Sequence, residues 1–511
     1  MRRSPRLVAT ALVLAVAAAT ALAGCGSDGG AATADSAQKP RRGGEVTVLR
    51  SADIDAWDPD KALMIETFET LPQVMEGLVR PNPEGTDVLP GLADRWEIDA
   101  AAKTITFHLR EGAAFSDGSP VTASDVAFSV GLWRKNVAYG TLYSAITGTR
   151  TPDDRTVVIT MSRPSTFTLS WLANGTAVVV PKDFDGKTRA DFFKNPIGAG
   201  AFEIKRYVPG QSLTLARNPH YYDPKRPYLD RLTYKVVTDP NQQLLQFQSK
   251  QAQMIESVPL DLARQFSATE RHVVEPTATV HAAFVNTASG PGRDLHFREA
   301  VSHAIDRDTY VKSVFGDIAS PAKGGLPTGV QGSATCGCSY DFDLAKAKQE
   351  LAESSYDGSP VVVLVDSSSQ ITTRGGEVLV EMLKAAGIKA DLQPEEGQVM
   401  FDRYSKGDYD LELAEVSSVS PSVGDIFGLV SYMVQASDKD KVITTAFDKL
   451  DVAATDTART EATTTAEDWI GSNLPYVPIA NPGRVYAVAA TVRGLAVTPY
   501  LSYPADRLWT R

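Results

Sequence analysis

Ser320 and Lys323 stand at the S-x-x-K spacing of a serine nucleophile and its lysine base, an arrangement in which the amine takes the hydroxyl proton. That chemistry needs the serine at a helix start and separate S-D-N and K-T-G elements. Neither element is present and Gly324-Gly325 follows at once, so the spacing reads as accidental. There is no G-x-S-x-G elbow, no H-E-x-x-H helix and no phosphate-cradling glycine loop. The six histidines are scattered. His108 and His303 fall inside patterned elements, where a single imidazole packs more often than it ligates, and no spacing suggests a transition-metal cage. Cys336 and Cys338 flank one glycine. A bridge between them closes a strained ring, and with no further ligand nearby they read as a local loop staple. Trp57, Trp133, Tyr139 and Phe284 are large enough to line a pocket, although core packing is the commoner use of such rings. The reading is of a non-enzyme, with no catalytic residues, metal or cofactor.

Targeting and architecture are more legible than chemistry. The 511 residues allow two or three domains. A formal net charge of -11 without a basic stripe argues against nucleic acid as the main partner. Arg2, Arg3 and Arg6 precede the apolar run LVATALVLAVAAATALA, the charged start and core of an export signal. The run ends in Leu22-Ala23-Gly24-Cys25, which looks like a bacterial lipobox, where the Cys25 thiol receives diacylglycerol and becomes the new N terminus. The expectation is a lipoprotein signal peptide over 1–24, lipid on Cys25, and a flexible Gly/Ala/Ser-rich tether over 25–42. No later segment is long and apolar enough to span a bilayer.

The element that organises the rest is Leu89 to Ser129, LPGLADRWEIDAAAKTITFHLREGAAFSDGSPVTASDVAFS. Ile105, Phe107 and Leu109 alternate with Thr104, Thr106, His108 and Arg110, the period of a half-buried strand. Trp96 to Ile98 reads as its partner. Asp117-Gly118 is a turn. Thr122 and Asp125 form a variant capping box, and Val126, Val130, Trp133 and Val137 follow at helical spacing.

This run, with P-G-L-A, W-E, T-F-H-L-R, D-G-x-P and T-A-x-D-V in order, resembles the large solute-binding proteins of peptide- and nickel-type ABC importers. Further matches support the likeness. They are Trp57-Asp58-Pro59, Met75-Glu76-Gly77-Leu78-Val79, Asn218-Pro219-His220-Tyr221-Tyr222, the helix around Phe297 to Arg307, and Asp408-Tyr409-Asp410. The resemblance covers roughly residues 43 to 511. It implies an α/β, two-lobe periplasmic-binding-protein-like fold (type II, cluster C) with an additional domain on the first lobe. The expected boundaries are 43–80, 197–280 and 485–511 for the first lobe, 81–196 for the additional domain and 281–484 for the second lobe.

The same resemblance implies a lipid-anchored protein on the extracytoplasmic face of the cell membrane. It would be a monomer that captures a solute between the lobes and hands it to ABC permease subunits with their ATPase. Leu63 and Ile65, after Asp58-Pro59, and Phe284 and Asn286, on the first crossing strand, are expected to border the cleft, with Tyr139 as a further aromatic. Peptide-binding relatives set a far-lobe aspartate against the peptide ammonium shortly after G-x-Y-D. Here no Asp occurs between Asp410 and Asp425, and Val419 falls near that place. Either Glu415 takes over the charge, or the solute has no free amine to anchor. Ser417 and Ser418 suggest hydroxyl contacts. A peptide-like solute is favoured, with a sugar, a metal chelate or a sensing role on the same scaffold as alternatives. A secreted hydrolase, a further alternative, lacks a nucleophile–base pair.

Overall fold

The computed structural model describes residues 39–511, apart from 63, 137–139, 166, 275–276, 328–339, 368, 419, 425, 427–429, 431–438, 440 and 454. Residues 1–38, with the expected signal peptide, Cys25 and most of the expected tether, together with Leu63, Tyr139, Val137, Val419 and the pair Cys336 and Cys338, lie outside the described residues.

The elements that position the site are, in chain order, β1 (Glu45–Arg50), α1 (Ile65–Val74), β2 (Thr279–Val285), β3 (Leu411–Ser417), β4 (Tyr476–Pro482) and β5 (Arg484–Val488). β1 and β5 belong to a seven-stranded sheet in the order Arg271–Val274, β5, Met254–Ile255, β1, Arg231–Val236, Ser212–Arg217, Phe202–Val208. β2, β3 and β4 belong to a six-stranded sheet in the order Ala319–Pro321, β4, β2, β3, Val361–Asp366, Ala390–Glu395. These two sheets are the cores of the two lobes. β2 and β4 are buried at every position, as expected of strands covered on both faces. Pro478 sits inside β4 opposite Ala282, and the register slips between His281 and Ala282. A proline offers no N–H to the ladder, so a central strand carries it only at such an irregularity.

A four-stranded antiparallel sheet holds the organising stretch, in the order Ala93–Asp99, Thr104–Leu109, Thr156–Met161, Ile146–Asp153. Ile105, Phe107 and Leu109 are buried, and Trp96 lies opposite Phe107. The Asp125 carboxylate accepts from Thr122 N–H at 2.7 Å, closing one half of the capping box. The helix Ala123–Trp133 then buries Val126, Val130 and Trp133. The strand and helix thus follow the local pattern closely.

The chain passes between the two sheets twice, once from Val274 to Thr279 and once through Gly483. The two crossings are tied together. Thr277 Oγ1 donates to Pro482 O at 2.6 Å, and Asn481 Nδ2 donates to Thr279 O at 3.3 Å. A second contact joins the segment after Met161 to the helix Val442–Asp451. There Arg163 pairs with Asp448 and Asp451 at 3.3 and 3.0 Å. Ser165 donates to Asp451 at 2.5 Å, and the Phe167 and Phe447 rings stack at 5.9 Å. Gly424 makes room for that ring, since a Cβ there would lie 2.7 Å from Phe167.

Candidate functional site

A cavity of about 1440 Å³, its open mouth included, lies between α1 and the ends of β2 and β3. α1, residues 173–178 and residues 500–506 form one wall, and Thr279, Ser417 and Ser418 at the ends of β2 and β3 form the other. Ile65, Glu69 and Gln73 recur at a spacing of four along α1, so they share one face of the helix and all three line the cavity. Gln73 also holds the 500–506 segment in place. Its Nε2 donates to Tyr503 O at 2.9 Å, and its Oε1 accepts from Ala505 N at 3.1 Å.

Two buried charge clusters stand behind the first-lobe wall. In one, Arg50 donates from Nε and Nη2 to both oxygens of Glu256 at 3.0 and 3.1 Å, and from Nη1 to Thr70 at 3.0 Å. Its guanidinium lies 3.7 Å over the Tyr234 ring, and Tyr503 donates to Glu256. Glu69 stands 3.9 Å from Arg50. Burial, with Glu256 beside it, holds the Glu69 carboxyl well above the usual range. In the other cluster, Asp506 pairs with Arg80 at 3.4 Å and Arg226 at 3.0 Å, and Tyr222 donates to Glu76 Oε1 at 2.7 Å. Burial pushes Glu76 up to about 7 against the opposing pull of Arg80 and the tyrosine bond.

The clusters leave polar atoms over. Glu76 Oε2 and Asn174 Nδ2 are buried and have no hydrogen-bond partner among the described residues. Both residues line the cavity.

Of the residues expected from sequence, Ile65, Ser417 and Ser418 line this cavity. Ser417 shares a 2.8 Å hydrogen bond with Thr279, and Ser418 Oγ donates to Ser420 O at 2.9 Å. Phe284, Asn286 and Glu415 are not among its lining residues. Phe284 is buried against the Tyr476 ring at 4.9 Å. Asn286 Nδ2 donates to the carbonyls of Gly407 and Tyr409, each at 3.0 Å. That side chain fastens the outer end of β2. Glu415 stands 3.6 Å from the buried His281 ring. Glu415 and Ser417 are two apart on β3 and share a face of the strand, but Glu415 lies further along it, against His281.

Glu76, Asn174, Arg80 and the 500–506 segment were not expected at the site. One signal was present. Glu76 is an acid inside the apolar run Met75 to Val79, and an acid in such a run is buried at a cost unless a partner meets it. Away from the cavity, His296, Glu299 and Glu350 gather on the second lobe, with His296 Nδ1 2.7 Å from Glu350. This is an ion-paired surface group.

Residues 87–440 match the family model described as bacterial extracellular solute-binding proteins, family 5 Middle. The chain is 26% identical to the probable D,D-dipeptide-binding periplasmic protein DdpA of Escherichia coli, over 89% of this chain and 92% of that protein. It is 24% identical to the periplasmic oligopeptide-binding protein OppA of Salmonella typhimurium, over 93% and 92%. Among solved structures, NikA of Brucella suis in complex with Fe(III)-EDTA superposes with a TM-score of 0.81 at 22% identity, covering 92% of this chain and 100% of that one. The fold so shown is the two-lobe periplasmic-binding type with an additional domain.

Proposed function

The chain belongs to the bacterial extracellular solute-binding proteins of family 5, and on that premise we propose that it captures a peptide-like solute between its lobes and delivers it to an ABC importer permease. The observation that carries this reading is the cavity, lined on one side by α1 and residues 500–506 and on the other by Thr279, Ser417 and Ser418 at the ends of β2 and β3. A solute held there touches both lobes and favours the closed state by its differential affinity. The relatives named for dipeptides and oligopeptides support the peptide class. The first lobe is read as 43–80, 197–280 and 485–511, the additional domain as 81–196 and the second lobe as 281–484. Native mass spectrometry of the freshly purified protein tests the reading, through the mass of a co-purified solute. Small-angle scattering should then show a smaller radius of gyration when peptide is restored to the stripped protein. No bound mass, together with an unchanged radius under saturating peptide pools, would overturn it.

The protein works at the outer face of the membrane, held there through Cys25. A single acyl chain binds a membrane only marginally, whereas diacylglycerol supplies two. Cys25→Ser is expected to move the protein from the membrane fraction to the soluble fraction. Unchanged fractionation, with no lipid mass on the N-terminal peptide of the parent, would exclude the anchor.

A further inference from the structure

The cavity wall holds many polar residues, but little of them faces its space. Glu69, Gln73, Glu76, Asn174 and Asp506 line it, and none is more than 6% exposed. Their side chains are committed inside the protein. Gln73 is bound to Tyr503 O and Ala505 N, Asp506 pairs with Arg80 and Arg226, and Glu69 lies against Arg50 and accepts from Tyr486 at 3.5 Å. Glu76 Oε2, Asn174 Nδ2 and Arg80 Nε have no hydrogen-bond partner among the described residues, but each keeps less than 1 Å² of accessible surface, so a solute resting in the cavity does not reach them. The hydroxyls are engaged as well. Thr279 and Ser417 share a bond at 2.8 Å, Ser418 donates to Ser420 O at 2.9 Å, and Ser502 shares a bond with Thr498 at 3.0 Å. The half-buried surface is largely apolar. Ile65, Phe68 and Pro72 recur along α1 at spacings of three and four, one stripe of the helix, and all three are half-buried and line the cavity. Pro81 and Pro504 line it too, also half-buried, and a proline has no N–H to offer. Among the described lining residues Arg80 alone carries charge at appreciable exposure, 26% of its side chain, and its Nη1 already lies 3.4 Å from Asp506.

We propose that the cavity selects its solute by an apolar side chain, aliphatic or aromatic, laid against Ile65, Phe68, Pro72 and Pro504. This rests on the peptide reading above and narrows it to peptides that carry such a side chain.

Removing apolar surface from water is favourable roughly in proportion to its area, and the stripe on α1 supplies the matching surface. A polar side chain of the same size gives up its water on entering. It then meets side chains already bonded to one another, and an unmade hydrogen bond is more costly than a made one is favourable. A carboxylate or an ammonium loses more still, because an unpaired charge is the most expensive group to desolvate. The ion pairs behind the wall do not change this, since Arg50 and Asp506 already face partners of opposite sign. Discrimination therefore falls on polarity, with little preference among apolar side chains of similar size.

The test uses four pools of alanine tripeptides on the full-length protein, with retention after equilibrium dialysis read by mass spectrometry. The pools carry leucine, glutamine, glutamate or lysine, placed at each position in turn. Glutamine is close to leucine in size and uncharged, so that pair isolates polarity. The wild type is expected to retain the leucine pool about ten-fold over the glutamine pool, a difference of roughly 1.4 kcal/mol, with the glutamate and lysine pools below both. Ile65→Glu sets a carboxylate in the stripe at the first turn of α1, where the helix tolerates an acid. It is expected to bring the leucine and glutamine pools within about three-fold of each other and to lift the lysine pool above the glutamate pool. Each ratio is internal to its variant, so a partly unfolded sample does not mimic its loss. Equal retention of leucine and glutamine by the wild type overturns the proposal, as does an unchanged ratio in Ile65→Glu. A glutamate pool retained best also overturns it, because Arg80 would then be the group that reads the solute. Retention of no pool at all overturns the peptide reading and this proposal together, whereas retention without apolar preference overturns this proposal alone.

Discussion

Arg50→Met is expected to cost about 3–5 kcal/mol of folding stability, the range for removing one partner of a buried ion pair. Arg50 is 1% exposed, and three of its nitrogens are committed to Glu256 and Thr70. Methionine fills much of the volume but leaves the Glu256 carboxylate in the first-lobe core without a cation. Urea unfolding should show a lower midpoint at an unchanged slope. The double variant Arg50→Met/Glu256→Gln should recover most of the loss, because it removes the stranded charge together with its partner. A loss under about 1 kcal/mol, or a double variant no better than the single, would falsify this account.

Asp451→Ala is expected to loosen the lobes. Asp451 is fully buried between Ser165 and Arg163, and the stacked Phe167 and Phe447 rings lie beside it. Truncating one side of a buried, hydrogen-bonded charge contact costs about 2–5 kcal/mol. The Arg163 side chain is 38% exposed, so solvent screening places this case near the lower end. About 2 kcal/mol corresponds to roughly a thirty-fold shift in the closed-to-open ratio. Scattering from the ligand-free variant should show a larger radius of gyration than the parent. An unchanged radius would mean that the contact is maintained without Asp451 and is no latch.

The hairpin and capped helix of 89–133 were legible because their determinants are local. Alternating Ile105, Phe107 and Leu109 and the Thr122–Asp125 pair act within a few residues of themselves. The helix Gln370–Ala386 runs through Gly375-Gly376. The pair Gly375-Gly376 looks like a helix start in sequence, since glycine is a poor helix former. In the fold both glycines are required by packing, because a Cβ at Gly375 would lie 2.2 Å from the Tyr310 hydroxyl and one at Gly376 2.6 Å from Leu392. The site was legible only in part. Ile65, Ser417 and Ser418 follow from motif position, whereas Asn174 and Tyr503 reach the cavity from segments with no periodic signature. Glu76 stood in the sequence only as part of the Met75 to Val79 motif match, and the packed structure shows that one of its oxygens is left over.

The passage through Gly483 has a consequence for how the molecule is made. β4 fills the slot between Ala319–Pro321 and β2, and β5 fills the slot between Arg271–Val274 and Met254–Ile255. One uninterrupted run, Tyr476 to Val488, therefore completes both sheets. Until that run emerges during synthesis, each half has open strand edges and neither can reach its final packing. A chain truncated before Tyr476 would lose both halves at once, not one, and the polypeptide remains unfinished, and so threadable, until the run from Tyr476 to Val488 is made.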